Sequence, residues 1–493
     1  MYPKKRNQFN VDDFILPFGG KLDPNNRWVR MAELIPWEKL EEEYASNFSS
    51  TGNIAKELRM ALGSLIIKEK YNLTDEETVN QITENPYLQY FIGLKEFTTE
   101  LPFDPSSMTY FRKRITPEML KKANDSICSN DSSDKDDDSN DDNEPPSSNS
   151  DNNESSEDST NEDSSENKGK MLIDGSCAPA DIRYPTDISL LNEAREKTEA
   201  IIDTLHAPLK GQKKKPRTYR EKARKQYLSI AKKRTSRKRK IRKGIKKQLG
   251  YINRNLAHIE HLQANSNSGK LSKKQLKDLE VIKELYEQQK YMLEHGINHI
   301  DNRIVSINQP HIRPIVRGKS NNETEFGAKF IISVVNGFTF LETLGWENYH
   351  EGTKFQQAIE NYYSRFGCYP QKVIADKAYR SRENRNYCKS KGIQLSGPPL
   401  GRPKEDQKKE QKAVEAQDAR ERNEVEGVLG TMKRKYGLDR VMTKLKETSE
   451  TTVSVAIMVK NLDRKLACIF YYFLRWAFFN YQRAENVWLI KVA

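Results

Sequence analysis

The sequence predicts an α/β fold whose mixed sheet is split by a basic helical insertion and preceded by an all-helical region. Three observations carry that expectation. Apolar residues recur at three- and four-residue spacing before about residue 123, and the pattern switches to β-branched strand runs after about residue 300. A strand-like segment, "MLIDGS" around Asp174, stands far upstream of those runs. Between the two parts, residues 210–247 hold twenty Lys or Arg against Glu221 alone, a local charge of +19.

At 493 residues, 35% hydrophobic and with a mean hydropathy of −0.87, the chain is long enough for two or more domains but too polar to be packed throughout. Its net charge of +13 favours a polyanionic partner, either nucleic acid or an anionic membrane surface. No signal-peptide pattern opens the chain. Its most apolar run, Ala467 to Phe479, is too short to span a bilayer and contains Arg475, so a buried or interfacial helix is expected and no membrane association. Cys128, Cys177, Cys368, Cys388 and Cys468 are odd in number and scattered, without CxxC spacing, so neither a disulfide framework nor a thiolate zinc site is indicated, and a reducing cytoplasm fits best.

The elements follow in order. A helix is expected from about Asn53 to Lys70, then one opened by a capping box of Thr74 and Glu77. In "FDPSSMTYFRKRI", Asp104 reads as an N-cap and Pro105 as the first helical residue. That last helix offers Ser106, Ser107, Thr109, Arg112, Lys113 and Arg114, the donor set of a DNA recognition helix or, more blandly, a solvated face. Residues 124–168 carry sixteen acidic residues against two lysines and almost nothing to bury, so they read as disordered, either a spacer or a competitor with DNA for the basic run.

The basic run, including Lys213, Lys214, Lys215, Arg237, Lys238, Arg239 and Lys240, leads into two helices joined near Asn265 to Gly269, an antiparallel hairpin. His258, His261, His295 and His299 on that hairpin have helix-borne metal spacing but no Cys or carboxylate placed with them, so surface histidines are the commoner reading. Strands are then expected at "RIVSI", across "AKFIISVVNGFTFLETL" with a hairpin at "NGF", and at "KVIAD"; "IQLSG" makes a last short strand. Helices are expected over about Thr353 to Phe366, about Arg382 to Lys391 and around Glu426. The segment "RPIVRGK", with Arg313, Arg317 and Lys319, reads as a nucleic-acid-facing loop or a solvated turn. The order matches a ribonuclease H-like fold. The expected organisation is an all-helical DNA-binding domain (1–123), an acidic linker (124–168), a first catalytic-domain segment (169–206), the basic insertion (207–300), a second catalytic-domain segment (301–446) and a C-terminal helical segment (447–493).

Asp174 and Asp376 each end an apolar strand, and Glu426 lies on a later helix. Two carboxylates at the ends of adjacent strands and a third from a helix would form an all-oxygen pocket for hard cations, two Mg²⁺ or Mn²⁺, which suits phosphoryl transfer. Each carboxylate alone is more often a turn, strand-end or helix-surface residue. Arg422, Glu426 and Lys433 form R-x3-E-x6-K on roughly one helix face, with cations on both sides of a carboxylate to hold phosphates. Asp181 and Asp187 lie in a Pro-broken stretch, and Glu424 points to another side of the helix, so Asp174 and Glu426 are preferred.

At this point the sequence resembles bacterial insertion-sequence transposases of the DDE class, in the group with a Y-R-E-K signature close to insertion-sequence family five. "NPYLQYFIGL", "PFDPSSMTYFRKRI", "LIDGSCAPADIRYPTDISLLNEAREKTE", "VIADKAYRSRENR", "GPPLGRPK" and "ERNEVEGVLGTMKRKYGLDRV" carry the resemblance in the family's order. It implies Asp174, Asp376 and Glu426 as metal ligands and Arg422 and Lys433 as signature partners. It also implies binding to terminal inverted repeats and target DNA, metal-dependent cleavage and strand transfer, and a dimer or larger synaptic assembly. The tyrosine expected three residues before Arg422 is Ala419. A nuclease of the same fold that does not join strands, or a domesticated DNA-binding protein without catalysis, are the alternatives. The run Phe470 to Phe479 is expected either to form an interface between copies or to be buried in one protomer.

Overall fold

A computed structural model of the chain describes residues 10–49, 51, 54–129, 167–233, 237–265, 267–316, 324–398 and 408–492. The segment 130–166, which holds most of the expected acidic linker, lies outside the described residues, as do Arg317 and Lys319.

The amino-terminal part is helical: α1 (Arg27–Leu34), α2 (Trp37–Ser46), α3 (Leu58–Tyr71), α4 (Asp75–Glu84), α5 (Pro86–Phe91), α6 (Ser107–Arg114) and α7 (Pro117–Ser129). The capping box of α4 forms as expected, with the Glu77 amide donating to Thr74 Oγ1 and the Thr74 amide to Glu77 Oε2. Ser106, not Asp104, is the N-cap of α6; Asp104 instead accepts from the Ser106 amide and hydroxyl, because the chain needs one more turn before helical geometry begins. Helix α7 runs past the expected boundary at 123. Asn124 is buried there and bonded to the Thr339 carbonyl, with Asn461 donating to its side-chain oxygen.

The sheet contains β1 (Lys170–Pro179), β2 (Arg313–Val316), β3 (Thr324–Val335), β4 (Phe338–Gly345), β5 (Lys372–Ala375) and β6 (Gln394–Leu395). The order is β2-β3-β1-β5-β6, with β4 also on β3. Strands β3 and β4 are antiparallel and turn through Asn336 and Gly337, both at positive φ (51° and 79°), the type I′ geometry that an Asn-Gly pair adopts at least cost. Strand β5 runs parallel to β1, reached through α12 (Phe355–Phe366). Helix α13 (Arg382–Ser390) leads to β6, and α14 (Lys408–Lys435) and α15 (Lys446–Val492) complete the chain.

The insertion is a bundle of α8 (Asp187–His206), α9 (Arg220–Ala231), α10 (Lys238–Gln263) and α11 (Lys273–His295). Two corrections concern it. Helix α8, expected with the sheet domain, packs Leu191, Ala194, Ile201 and Ile202 against Ile252, Ile259 and Ile282, so its apolar stripe is used by the bundle. "RIVSI" forms no strand: Ile304 and Ile307 fill the bundle core and Val305 packs beside Ile312 and Trp346, which leaves its backbone no sheet edge to pair with.

Side chains alternate across the sheet as a two-residue period requires. Met171, Ile173, Ile331 and Val373 face Phe355 and Ile359 of α12. Leu172, Phe330, Ile332 and Ile374 share one continuous core with Val425 and Met432 of α14, Val455 and Met458 of α15, and Leu65, Phe91 and Met108 of the amino-terminal helices. The amino-terminal helices therefore do not form a core of their own. They close around α15, where Thr451 Oγ1 donates to the Arg112 and Ile115 carbonyls at 2.8 and 2.9 Å. Beyond Leu462, α15 carries Ile469, Phe470, Tyr471, Tyr472, Leu474 and Trp476 exposed, so these residues are not buried within the protomer.

Candidate active site

The register of β1 against β5 builds the site. Ile173 pairs with Ala375 in a parallel ladder, so the next residues, Asp174 and Asp376, lie side by side at the same level. Asp376 follows the end of β5, but Asp174, expected at a strand end, is a correction: it sits inside β1, which stays paired with β3 as far as Pro179. Asp376 also opens a short 3-10 turn, Lys377–Tyr379, which ends the strand there. Helix α14 packs along this face through Val425 and Met432, both fully buried, and that seating sets Arg422 and Glu426, one turn apart, at the edge where the aspartates emerge.

Arg422 joins the groups. Its Nη1 donates to Asp376 Oδ1 at 2.9 Å and its Nη2 to Glu426 Oε1 at 2.8 Å. The guanidinium holds its proton more firmly than usual, first through the hydrogen bond to Glu426 and then through the charges of Asp376, Glu426 and Asp174. Both paired carboxylates keep 49% of their side-chain surface in solvent. Asp174 Oδ1 accepts the Gly175 amide at 2.8 Å. Among the described residues, no three His, Cys, Asp or Glu side chains are disposed as a ready metal cluster, the four hairpin histidines included. The donor set is nonetheless all-oxygen, and between Asp376 and Glu426 a cation already sits, in the form of the guanidinium. That chemistry fits a hard divalent ion.

On the opposite face of β1 lies a polar cluster that sequence reasoning did not single out. A Cβ at Gly175 would fall 2.5 Å from Glu351 Cδ, so the missing side chain is what admits the Glu351 carboxylate beneath the strand next to Asp174. Glu351 pairs with Lys329 at 3.1 Å, and Lys329 donates to the Tyr349 carbonyl at 2.8 Å. The Tyr379 hydroxyl is driven well above its usual ionisation range, by burial first and then by the charges of Glu351 and Asp174. The only local signals were the Gly after Asp174 and the Tyr in "DKAY"; Glu351 arrives from a loop too distant in sequence to be read.

The remaining expected residues divide. Lys433 lies 4.0 Å from Glu325 at the start of β3. Asp181 pairs with Arg440, and Asp187 with Arg303 and Gln289, which gives both structural partners away from the site. Glu424 is exposed, and its charge acts on Lys460 of α15. On α6, Lys113 is exposed and Ser107 and Arg114 are partly so, with Arg114 stacked 4.0 Å over the Phe48 ring. Arg112 is a correction: it is buried at 3% exposure and bidentate on Asp75, because its helix position faces the core rather than solvent. Arg313 is another: it sits in β2 with its guanidinium turned back onto the Pro310 and Ile312 carbonyls, and burial lowers its affinity for its proton. Lys213, Lys214, Lys215, Arg237, Lys238, Arg239 and Lys240 are all exposed, Lys215 beside Asp203.

Comparison with known proteins gives two family matches. A model described as a transposase DDE domain matches residues 373–463, which include Asp376, Arg422, Glu426 and Lys433. A model described as a transposase domain (DUF772) matches residues 17–114, ending with α6. Asp174 lies outside both. A curated relative, the uncharacterized protein ORF8 in the nfe locus of Rhizobium meliloti, is 38% identical over 101 residues, 20% of this chain and 49% of the relative. The chain thus spans about half the length of that relative. No solved structure matches.

Proposed function

We propose, for a chain that is similar to bacterial insertion-sequence transposases of the DDE class, that it binds the terminal inverted repeats of its element and catalyses metal-dependent DNA cleavage and strand transfer. The observation that carries the reading is the parallel register that sets Asp174 beside Asp376, with Arg422 tying Asp376 to Glu426. The sheet order, three antiparallel strands followed by parallel ones, supports a ribonuclease H-like catalytic domain.

Asp174, Asp376 and Glu426 would hold two Mg²⁺ or Mn²⁺ ions. When bound, such ions stabilise the attacking and leaving oxygens of an in-line displacement at phosphorus. The protein's own groups supply position and charge. Asp174 within β1 and Asp376 just past β5 are fixed by the sheet, α14 is fixed by its buried apolar stripe, and Arg422 offers a planar donor fork suited to a phosphate. Water attacks one phosphodiester, breaking the P–O3′ bond to leave a 3′-hydroxyl and a 5′-phosphate; that hydroxyl then attacks a target phosphodiester and displaces the target strand's own 3′-hydroxyl, and neither step requires a covalent protein intermediate. Lys113, Arg114 and the exposed lysines and arginines of the insertion supply phosphate contacts. Holding two element ends requires a homodimer or a larger synaptic assembly, for which the exposed aromatic residues of α15 are a candidate interface. Among the described residues no helix is long and apolar enough to cross a membrane; the place of action is bacterial cytoplasmic DNA, in the nucleoid.

The test is cleavage of a duplex carrying the element end, with Mg²⁺, and joining of a pre-cut end to target DNA. Asp174→Asn, Asp376→Asn and Glu426→Gln each remove a ligand charge and almost no volume, so each abolishes both reactions and leaves end binding intact. A variant that still cleaves removes its residue from the site. Cleavage without joining identifies a nuclease, and end binding with neither reaction in the parent protein identifies a non-catalytic DNA-binding protein.

A further inference from the structure

We propose that Arg422 is an internal counter-ion which occupies the cation position of the site in the DNA-free protein, and that metal and DNA bind cooperatively because each displaces it from the other's way. The inference rests on the reading of Asp376 and Glu426 as metal ligands. One guanidinium spans both carboxylates, at 2.9 Å to Asp376 and 2.8 Å to Glu426. A divalent ion binding the same oxygens must break both contacts and meets a positive charge at close range.

The bridge is a poor candidate for a purely structural device. Arg422 is 35% exposed and both acids 49%, and ion pairs so exposed to solvent contribute little to stability. The neighbouring Lys372–Asp418 pair, in which the acid is 6% exposed, already anchors α14 to the start of β5. Its exposure also leaves Arg422 room to swing outward. Once released from Asp376 and Glu426, the guanidinium can take a DNA phosphate, an anion like the carboxylates it leaves, as a bidentate partner. Metal binding therefore frees Arg422 for the phosphate, and the phosphate, by taking Arg422, clears the carboxylates for the metal. Linkage requires the two effects to be equal in size.

The experiment is calorimetric or paramagnetic titration of the full chain with Mn²⁺, with and without a duplex carrying the element end. The proteins are the parent, Arg422→Gln, and Arg422→Lys, which keeps the charge but lacks the planar two-nitrogen fork that spans the two acids. Thermal melting of each variant provides the folding control. DNA should tighten Mn²⁺ binding to the parent by at least about 5-fold, the low end of ordinary site-to-site coupling. Arg422→Gln should bind Mn²⁺ at least about 5-fold tighter than the parent without DNA and gain nothing further when DNA is added, with Arg422→Lys between the two. Mn²⁺ binding to the parent that is unchanged or weaker in both variants overturns the counter-ion role and leaves the metal site standing. Failure of the parent and of both variants to bind Mn²⁺ overturns the metal reading itself, and this inference with it.

Discussion

Helix α6 and the basic run of the insertion hold the same kinds of residues, yet the structure uses them in opposite ways. In α6, Arg112 points inward, is 3% exposed and is bidentate on Asp75, while Met108 and Phe111 bury beside it. Across α9 and the start of α10, Lys222, Arg224, Lys225, Lys238, Arg239, Lys246 and Lys247 all stand in solvent, and only scattered side chains such as Ala223, Ile230 and Leu249 hold the helices to their bundle. The difference teaches that a basic residue is a candidate for phosphate contact only where nothing packs over its helix face. The amino-terminal helices share a core with α15 and the sheet, so their surface is partly spent on the fold; the insertion is a satellite bundle whose outer face is free.

Three measurements sharpen or break that contrast. Arg112→Ala leaves Asp75 without its partner and is expected to cost about 3 kcal/mol, the lower end for breaking a buried pair, since Asp75 keeps 32% of its side-chain surface in water. Lys113→Ala on the same helix should fall within about 0.5 kcal/mol of the parent. Urea midpoints decide, and equal midpoints for the two variants would return Arg112 to the DNA-facing set.

The second lies at the seam between the regions. His311 stacks edge-on at 4.4 Å against Trp346 in the segment joining the bundle to β2, and burial drives its pKa down from 6.5 to about 4. The unfolded chain therefore binds a proton that the folded one refuses between those values, so stability is full above about pH 6.5 and falls as the pH drops toward 4. After allowance for its partial exposure the loss is about 2 kcal/mol. His311→Gln should remove that share of the acid sensitivity between pH 7 and 4.5; an unchanged difference in urea midpoint would exonerate His311.

The smallest effect on stability, and the largest on DNA, belongs to the insertion. Changing Lys238, Arg239 and Lys240 together to Ala should alter stability by no more than about 0.5 kcal/mol. The same change should flatten the log–log salt dependence of DNA binding by about 0.9 for each phosphate that is no longer neutralised. An unchanged slope would move the phosphate-binding surface elsewhere.

Much of the site's frame was legible in the chain. The strand-borne aspartates, the helical spacing of Arg422 to Glu426 and the Asn-Gly turn were readable because each is a pattern of a few neighbouring residues; that β1 continues five residues past Asp174 was not, since the Gly, Ser and Ala there are paired by β3 rather than by any local signal. Glu351 was not legible, since its carboxylate reaches Asp174's neighbour only through the gap that Gly175 leaves, and the two are brought together by the packing of β1 on the loop before α12. Helix α8 was misplaced for a related reason. Its apolar stripe is equally suited to a sheet or to a bundle, and only the presence of α10 and α11 decides between them.

By itself the sequence determined most of the elements and their order, the separation of charge, and the aspartates carried within β1 and just past β5. Those follow from side-chain periodicity, caps and turn chemistry, which act over a few residues. Tertiary structure alone decided the partners. It chose Asp75 for Arg112, 37 residues away, and Asp376 for Arg422, 46 residues away. It also ran α15 through the core shared by the amino-terminal helices and the sheet. The physical reason is that a long charged side chain takes whichever opposite charge the packing of apolar faces brings within a few ångströms, and that packing is a property of the whole chain rather than of any stretch of it.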